Sequence, residues 1–226
     1  MIYDNIRKAK FIDRPNRFIA NIEIDGKIEA CHVRNTGRCR ELLIKGAEIY
    51  VQESNNSNRK TNYSLISVYK GERLINIDSQ APNKVFHEYL LNGGLFQNIT
   101  TIKAESKYNN SRFDFYIEAD GKKSFVEVKG VTLEEKGVAM FPDAPTERGL
   151  KHLNELGKCL DEGYEAYVCF MVQMKDVLYF TPNYKTHREF GERLKDIMKK
   201  GVNIMALDCE VTKDSLVARN KVGIIL

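Results

Sequence analysis

Asp114, Glu127 and Lys129 are the residues whose types and spacing point most directly to chemistry. They lie in the stretch SRFDFYIEADGKKSFVEVK, Ser111 to Lys129, where Asp120-Gly121 separates two runs of alternating apolar and polar residues. That pattern predicts a β-hairpin, because glycine accepts the positive φ that a tight type I′ turn needs. With those two residues as the loop, Asp114 falls opposite Glu127 and Arg112 opposite Lys129. Like charges directly across a ladder cost up to ~1 kcal/mol, and a purely structural hairpin would have crossed them into salt bridges. A divalent cation bound through carboxylate oxygens turns the repulsion into coordination. Mg²⁺ or Mn²⁺ held there would polarise a phosphoryl oxygen and acidify a bound water, while Lys129, on the same face, stabilises charge or orients that water. The plainer reading is a charged strand pair with no ligand. Val128, between the acid and the lysine, is expected to point into the core.

Composition sets the frame for these residues. The 226 residues are 42% hydrophobic and 29% charged, enough for one large domain or two small ones. No apolar run approaches the ~20 residues of a membrane span, and the amino terminus MIYDNIRKAK lacks the apolar stretch of a signal peptide. The expectation is a cytoplasmic protein with no membrane partner. Five cysteines with no C-x-x-C pair argue against structural zinc and for reduced, buried thiols. The net charge of +4 is uneven: residues 1–82 hold 14 Lys+Arg against 10 Asp+Glu, and the remainder holds 21 of each. The excess suits a polyanion partner for the first part, although a solvated surface explains it almost as well.

The first part, 1–82, reads as short strands at Arg17 to Ile24, Ile28 to Arg34, Ala47 to Gln52, Tyr63 to Tyr69 and Arg73 to Asp78, with a helical insert at Arg38 to Ile44. Five strands and one insert predict a small closed barrel of the OB type; an SH3-like barrel or an open sheet would leave much the same trace. At SQAPNK the pattern changes, and a second domain, 83–226, is expected to start with a helix from Lys84 to Leu91 capped by Asn83 and ended by Gly93-Gly94. Beyond the hairpin come a helix from Thr146 to Asp161, an apolar strand AYVCFMV, a strand at Leu178 to Phe180, a basic amphipathic helix and a buried strand from Val202. Strand, helix, strand predicts a crossover unit in a mixed α/β sheet.

Further clusters surround the acidic pair. Glu88 flanks the helix that precedes the hairpin and reads either as a third acid or as a solvent charge paired with Lys84. The loop FPDAPTERG feeds a helix whose Arg148, Lys151 and His152 share one face, an arrangement that suits a phosphate backbone and equally an ordinary helix capped by Thr146. Asp143 in that loop reads as a turn residue. In the first domain the turn HVRNTGRCREL presents Arg34, Arg38 and Arg40, which can hold phosphates on a barrel loop. Tyr3, Phe11 and Phe18 are able to stack on bases, but core positions are expected. His32, His87 and His187 have no partners at ligand spacing and read as structural.

Asp114 followed by Glu127-x-Lys129 has the spacing of the D…E-x-K signature of the restriction-endonuclease-like fold, with Phe113 where a proline often precedes the first acid. Beyond that signature, the segments RFIA, the turn from His32 through Asn35-Thr36-Gly37-Arg38 with Glu41-Leu42-Leu43, NIDSQAPNKVFHEYLL, SRFDF, VEVKGVTL and FPDAPTERGLKHLNEL resemble the sugar fermentation stimulation protein A family. The blocks run from Arg17 to about Leu156, and the pattern continues weakly to Cys209. The resemblance implies an OB-type barrel followed by a nuclease-like PD-(D/E)xK domain, sequence-nonspecific DNA binding and a regulatory link to sugar, especially maltose, metabolism. Carried onto this chain, the nuclease-like positions are Asp114, Glu127 and Lys129, with Glu88 as an additional acid. Two functions follow: a Mg²⁺- or Mn²⁺-dependent nuclease that binds DNA, or a non-catalytic DNA-binding regulator of transcription. RNA fits the same residues.

Overall fold

A computed structural model describes residues 1–226 apart from Thr36 and Ser57. The amino-terminal part contains β1 (Ile6–Asn16), β2 (Ile19–Ile24), β3 (Lys27–Val33), β4 (Glu48–Glu53), β5 (Tyr63–Lys70) and β6 (Arg73–Asn76). β1 pairs with both β2 and β4, and a parallel pairing of β3 with β5 closes the ring. The five strands of the closed, OB-like barrel are therefore β1 to β5. Sequence reading overlooked β1 and counted β6, which instead pairs with β5 outside the ring. The cause lies in composition: of the eleven residues of β1 only Ala9 and Phe11 are buried, so the strand lacks a sustained apolar alternation. Arg38 to Ile44, expected as a helix, holds one turn at Arg40 to Leu42 and no helix.

The rest of the chain comprises α1 (Ala81–Leu91), β7 (Ile99–Tyr108), β8 (Ser111–Ala119), β9 (Lys122–Val131), β10 (Leu133–Glu135), β11 (Val138–Phe141), α2 (Glu147–Asp161), β12 (Glu165–Val172), β13 (Tyr179–Pro182), α3 (Arg188–Lys200), β14 (Asn203–Val211) and β15 (Leu216–Lys221). Its main sheet has the order β15-β14-β12-β9-β8-β7, with β9, β12 and β14 parallel. β7 to β9 form an antiparallel meander. The predicted crossover is present: β9 leads through α2 to β12. A small sheet, β10-β11-β13, was only partly anticipated, since its turn Lys136-Gly137 is a weaker signal than Asp-Gly.

Helices cover both faces of the main sheet. Val85, Phe86 and Leu90 of α1 pack on Phe115, Val126 and Val128. Leu150, Leu153 and Leu156 of α2 and Phe190 and Leu194 of α3 pack on the other face, in a core continuous with the barrel interior. α1 starts earlier than its predicted first residue, with Pro82 in its first turn, where the missing N–H is harmless. Asn83 thus lies inside the helix and does not cap it, and its side chain is free for another partner.

A candidate metal-dependent site at the open end of the hairpin

The hairpin turn forms as its residues dictate. Asp120 and Gly121 both have positive φ, +51° and +74°, as a type I′ turn requires. The register follows, from Ala119↔Lys122 to Phe115↔Val126, and there the ladder stops. Asp114 is the first residue past its end, so the acids are not a ladder pair, and the expected Arg112–Lys129 pairing does not form. Arg112 lies opposite Lys107 of β7 and ion-pairs with Glu105 at 3.2 Å.

Side-chain packing explains why the strands part. Phe113 packs against Phe125 and His152 on the α2 face, whereas Phe115 packs against Phe86 of α1. Residues two apart in a regular strand share a face, so the alternation breaks at Asp114. Glu105, facing it in β7, has a positive φ of +55°. The local twist turns the Asp114 carboxylate across the gap, where Oδ2 accepts from the Val128 N–H at 2.7 Å and Oδ1 from Asn83 Nδ2 at 2.8 Å.

Glu127 points to the α2 side and is 3% exposed. Its Oε1 meets both Lys129 Nζ and His152 Nδ1. Its Oε2 is buried and, among the described residues, has no hydrogen-bond partner. Such an orphaned carboxylate oxygen costs free energy unless something cationic or protic reaches it. Arg148, one helical turn before His152 on α2, donates from Nε to His152 Nε2 at 3.5 Å. With Nε2 facing the Arg148 donor, Nδ1 is the ring nitrogen that donates to Glu127 Oε1.

The two acids respond oppositely to burial. Desolvation, followed by the neighbouring charge of Glu127, pushes Asp114 up to about 6 against the opposing pull of Val128 N–H, Asn83 and Lys129. Burial also pushes Glu127 up, but the His152 hydrogen bond and the Lys129 and His152 charges outweigh it and hold the carboxyl below its usual range. The site thus contains one carboxylate fixed in its charged form and one that burial keeps near its protonation point.

The remaining expected residues are distributed as follows. Glu88 does not join the pair: its carboxylate is ion-paired with the amino group of Met1. Among the described residues no three His, Cys, Asp or Glu side chains converge as a ligand set. A hard cation that keeps several waters needs only one or two carboxylates, and the orphaned Oε2 beside Asp114 fits such an ion. Arg148 and Lys151 are exposed on α2, Lys151 donating to the Asn110 carbonyl at 2.8 Å. Thr146 caps α2 as expected, accepting from Gly149 N at 3.0 Å. Arg34 faces buried Asp78 at 3.4 Å. Arg38 and Arg40 are exposed on the barrel. His152 was seen in sequence only as one of three basic residues on a helix face; the i, i+4 spacing of Arg148 and His152 was the signal that set them apart from Lys151.

A polar network ties this site to the barrel. Gln173, just beyond β12, donates through Nε2 to Asn76 Oδ1 at 2.9 Å and to the Asp78 carbonyl at 3.1 Å. The next residue after Lys129 is Gly130, and a Cβ there would lie 2.6 Å from Gln173 Oε1 and 2.8 Å from Pro82 Cγ. Glycine is required for β9 to approach this closely.

Comparison with known proteins agrees with this two-part build. The family model described as the SfsA N-terminal OB domain matches residues 12–77, and that described as the sugar fermentation stimulation protein RE domain matches residues 80–215. The chain belongs to the sugar fermentation stimulation protein family. A relative named sugar fermentation stimulation protein homolog in Desulfitobacterium hafniense is 62% identical over 226 residues, covering 100% of this chain and 99% of its own. One in Clostridium beijerinckii is 59% identical, with both chains fully covered. A solved structure, Pyrococcus furiosus SfsA in complex with Ca²⁺, is 30% identical, covers 100% of this chain and 98% of its own, and superposes with a TM-score of 0.88. No helix of the chain is long and apolar enough to cross a membrane.

Proposed function

We propose that this protein binds DNA without sequence specificity and that its second domain hydrolyses phosphodiesters at a Mg²⁺ or Mn²⁺ site on Asp114 and Glu127. The observation that carries the proposal is the buried, unpartnered Oε2 of Glu127, placed next to a carboxylate that burial has made hard to ionise. That the Pyrococcus furiosus relative was solved with Ca²⁺, another oxygen-seeking divalent cation, supports it.

When bound, the cation would supply Lewis-acid activation of the phosphoryl oxygen and of a water. The protein's own residues set the stage. Asn83 and the Val128 N–H hold Asp114 across the end of the hairpin. His152, held by Arg148, fixes the Glu127 carboxylate by its Oε1 and leaves Oε2 available. Lys129, 15% exposed, keeps an ammonium beside the acids, where charge develops on the phosphoryl group. Exposed Arg148 and Lys151 on α2 offer cations for the phosphate backbone.

The test is cation binding measured calorimetrically alongside cleavage of labelled single- and double-stranded DNA with Mg²⁺ or Mn²⁺, for the native protein and for Glu127→Ala and Lys129→Ala. Cation binding and cleavage lost in Glu127→Ala are expected. A second reading, a non-catalytic DNA-binding regulator, is favoured by the double engagement of Glu127 Oε1 by Lys129 and His152. Cation-independent DNA binding without cleavage would establish it.

A further inference from the structure

The barrel carries a groove of about 510 Å³ bordered by the end of β1, the β1–β2 turn and the β3–β4 crossover. Phe11, Ile12 and Leu43 give it an apolar floor, and Arg17, Arg38, Arg40 and Lys45 stand along it. Elsewhere on the barrel, Arg7 ion-pairs with Asp25 and Glu53, Lys8 with Glu48, Arg34 with Asp78, and Lys70 and Arg73 with Glu134. Among the described residues, none of the four groove cations makes an ion pair.

The groove is also preformed. Arg14, at its side, is no free charge: its guanidinium donates to the carbonyls of Gly37, Arg38, Arg17 and Asn35, tying the β1–β2 turn to the crossover. Asn16 Oδ1 accepts from the N–H groups of Phe18 and Ile19 and fixes the turn itself. Tyr3 and Phe11 are buried, as core aromatics should be, but Phe18 is 47% exposed at the tip of this turn, with the Arg17 guanidinium 5.0 Å from its ring centroid. Apart from the Arg17 guanidinium, this exposed ring belongs to no core cluster, and it stands on the turn that borders the groove. It presents a flat apolar face beside a cationic groove, an arrangement suited to stacking an unpaired base.

We infer that the barrel groove is a binding site for a single nucleic-acid strand, with one base stacked on Phe18 and the backbone phosphates along Arg38, Arg40 and Lys45. A duplex is a poor fit, because its base faces are already stacked on one another. The inference deepens the nucleic-acid reading above and is independent of the cation site. Gly37, which lines the groove, abuts Asp143 in the loop that leads into α2, so the strand's exit lies toward Arg148 and the acidic pair.

The experiment is fluorescence anisotropy of the full-length protein in EDTA with a labelled oligothymidylate, its ribo-uridylate counterpart and a matched duplex. Phe18→Ala is expected to weaken the single-strand complexes about tenfold and the duplex complex by less than twofold, while Phe18→Tyr retains binding, since base–aromatic stacking contributes about 1–3 kcal/mol. Arg38→Ser with Arg40→Ser should lower the slope of log affinity against log salt by about 1.4, two phosphate contacts at ~0.7 each. The ratio between the thymidylate and uridylate affinities identifies the strand taken. Equal losses for strand and duplex in Phe18→Ala, or no loss in either, overturn the inference. Because EDTA removes divalent ions, a failure of the cation site leaves this result unaffected, and cleavage assays with Mn²⁺ report on that site separately.

Discussion

On the barrel, Arg17, Arg38, Arg40 and Lys45 stand exposed with no carboxylate partner among the described residues, whereas in the second domain Asp114 and Glu127 are withdrawn from water and crowded together. Exposed cations lose little by standing alone, since water solvates them, and they are ready for long-range attraction of a polyanion. Buried acids are costly and persist where other groups hold them in place. The contrast teaches a division of labour: capture belongs to the surface that is cheap to charge, and chemistry to the one whose charges are constrained by geometry.

The sharpest way to break that division is to remove the constrained acid. Glu127→Ala is expected to lower Mn²⁺-dependent cleavage by about a hundred- to a thousandfold, the scale seen when a single group stabilising transition-state charge is lost. Binding of single-stranded DNA in EDTA should stay within twofold. Initial rates on a labelled strand and anisotropy on the same preparation measure both, and a loss of binding equal to the loss of cleavage would show that the two surfaces are one site.

A smaller effect follows from the raised Asp114 carboxyl. In the folded chain it titrates at about 6, against an ordinary value of 3.8, so the folded state holds this proton more tightly than the unfolded one. Its contribution to stability is present below about pH 4 and is lost as pH rises through about 6, on the order of 2–3 kcal/mol without cation. Cation affinity runs the other way, because the ion competes with the proton. It should rise about tenfold between pH 5 and pH 7 and level off above. Thermal melts with and without Mn²⁺ across this range test both signs: cation at a hundred times its dissociation constant adds about 2.7 kcal/mol. A melt whose pH dependence is unchanged in Asp114→Asn would remove Asp114 as its source.

Next in size is Gly130→Ala. The added methyl meets Gln173 Oε1 and Pro82, and Gln173 cannot swing away without breaking its bonds to Asn76 and the Asp78 carbonyl. Overpacking of this kind costs about 1–3 kcal/mol. Since Gly130 follows Lys129 directly, cation affinity should fall with stability, while strand binding by the barrel is unchanged. Denaturant titration and calorimetry on the one variant check this, and a stable variant with native cation affinity would mean that β9 is not held by the Gln173 network.

How much of this was legible in the sequence depends on the range of the interaction. The hairpin turn, its register, the α2 cap and the crossover are local or periodic, and Asp120-Gly121, Thr146 and the run AYVCFMV announce them. The parting of the strands at Asp114 is not announced, because it arises from Phe113 and Phe115 choosing opposite helices, a tertiary decision. The same holds for Asn83, which reads as a helix cap until α1 extends past it and turns its amide to Asp114. Glu88 was a fair candidate by position, but its carboxylate is taken by the Met1 amino group, a partner 87 residues away in the chain. Phe18 shows the reverse error: aromatic residues in small barrels are usually core, and only the placement of the β1–β2 turn reveals that this one is exposed.

The smallest expected effect concerns the seam between the two surfaces. A Cβ on Gly37 would lie 2.6 Å from Asp143 Oδ2 and 2.8 Å from Asn35 Oδ1, and the Asn35 oxygen is held by the Gly37 N–H at 2.7 Å. Gly37→Ala should therefore push the barrel turn off the loop before α2, costing about 1 kcal/mol or a melting shift of about 2–4 °C. Asp143→Ala clears half of the obstruction, so the double variant Gly37→Ala with Asp143→Ala should be more stable than the sum of the two single changes predicts. If capture and chemistry are coupled through this seam, Gly37→Ala slows cleavage of a strand that spans both surfaces more than cleavage of a short one, and the double variant restores part of the difference. Strict additivity in the melts, with equal cleavage of long and short strands, would separate the barrel turn from the α2 loop and leave the two surfaces to act independently.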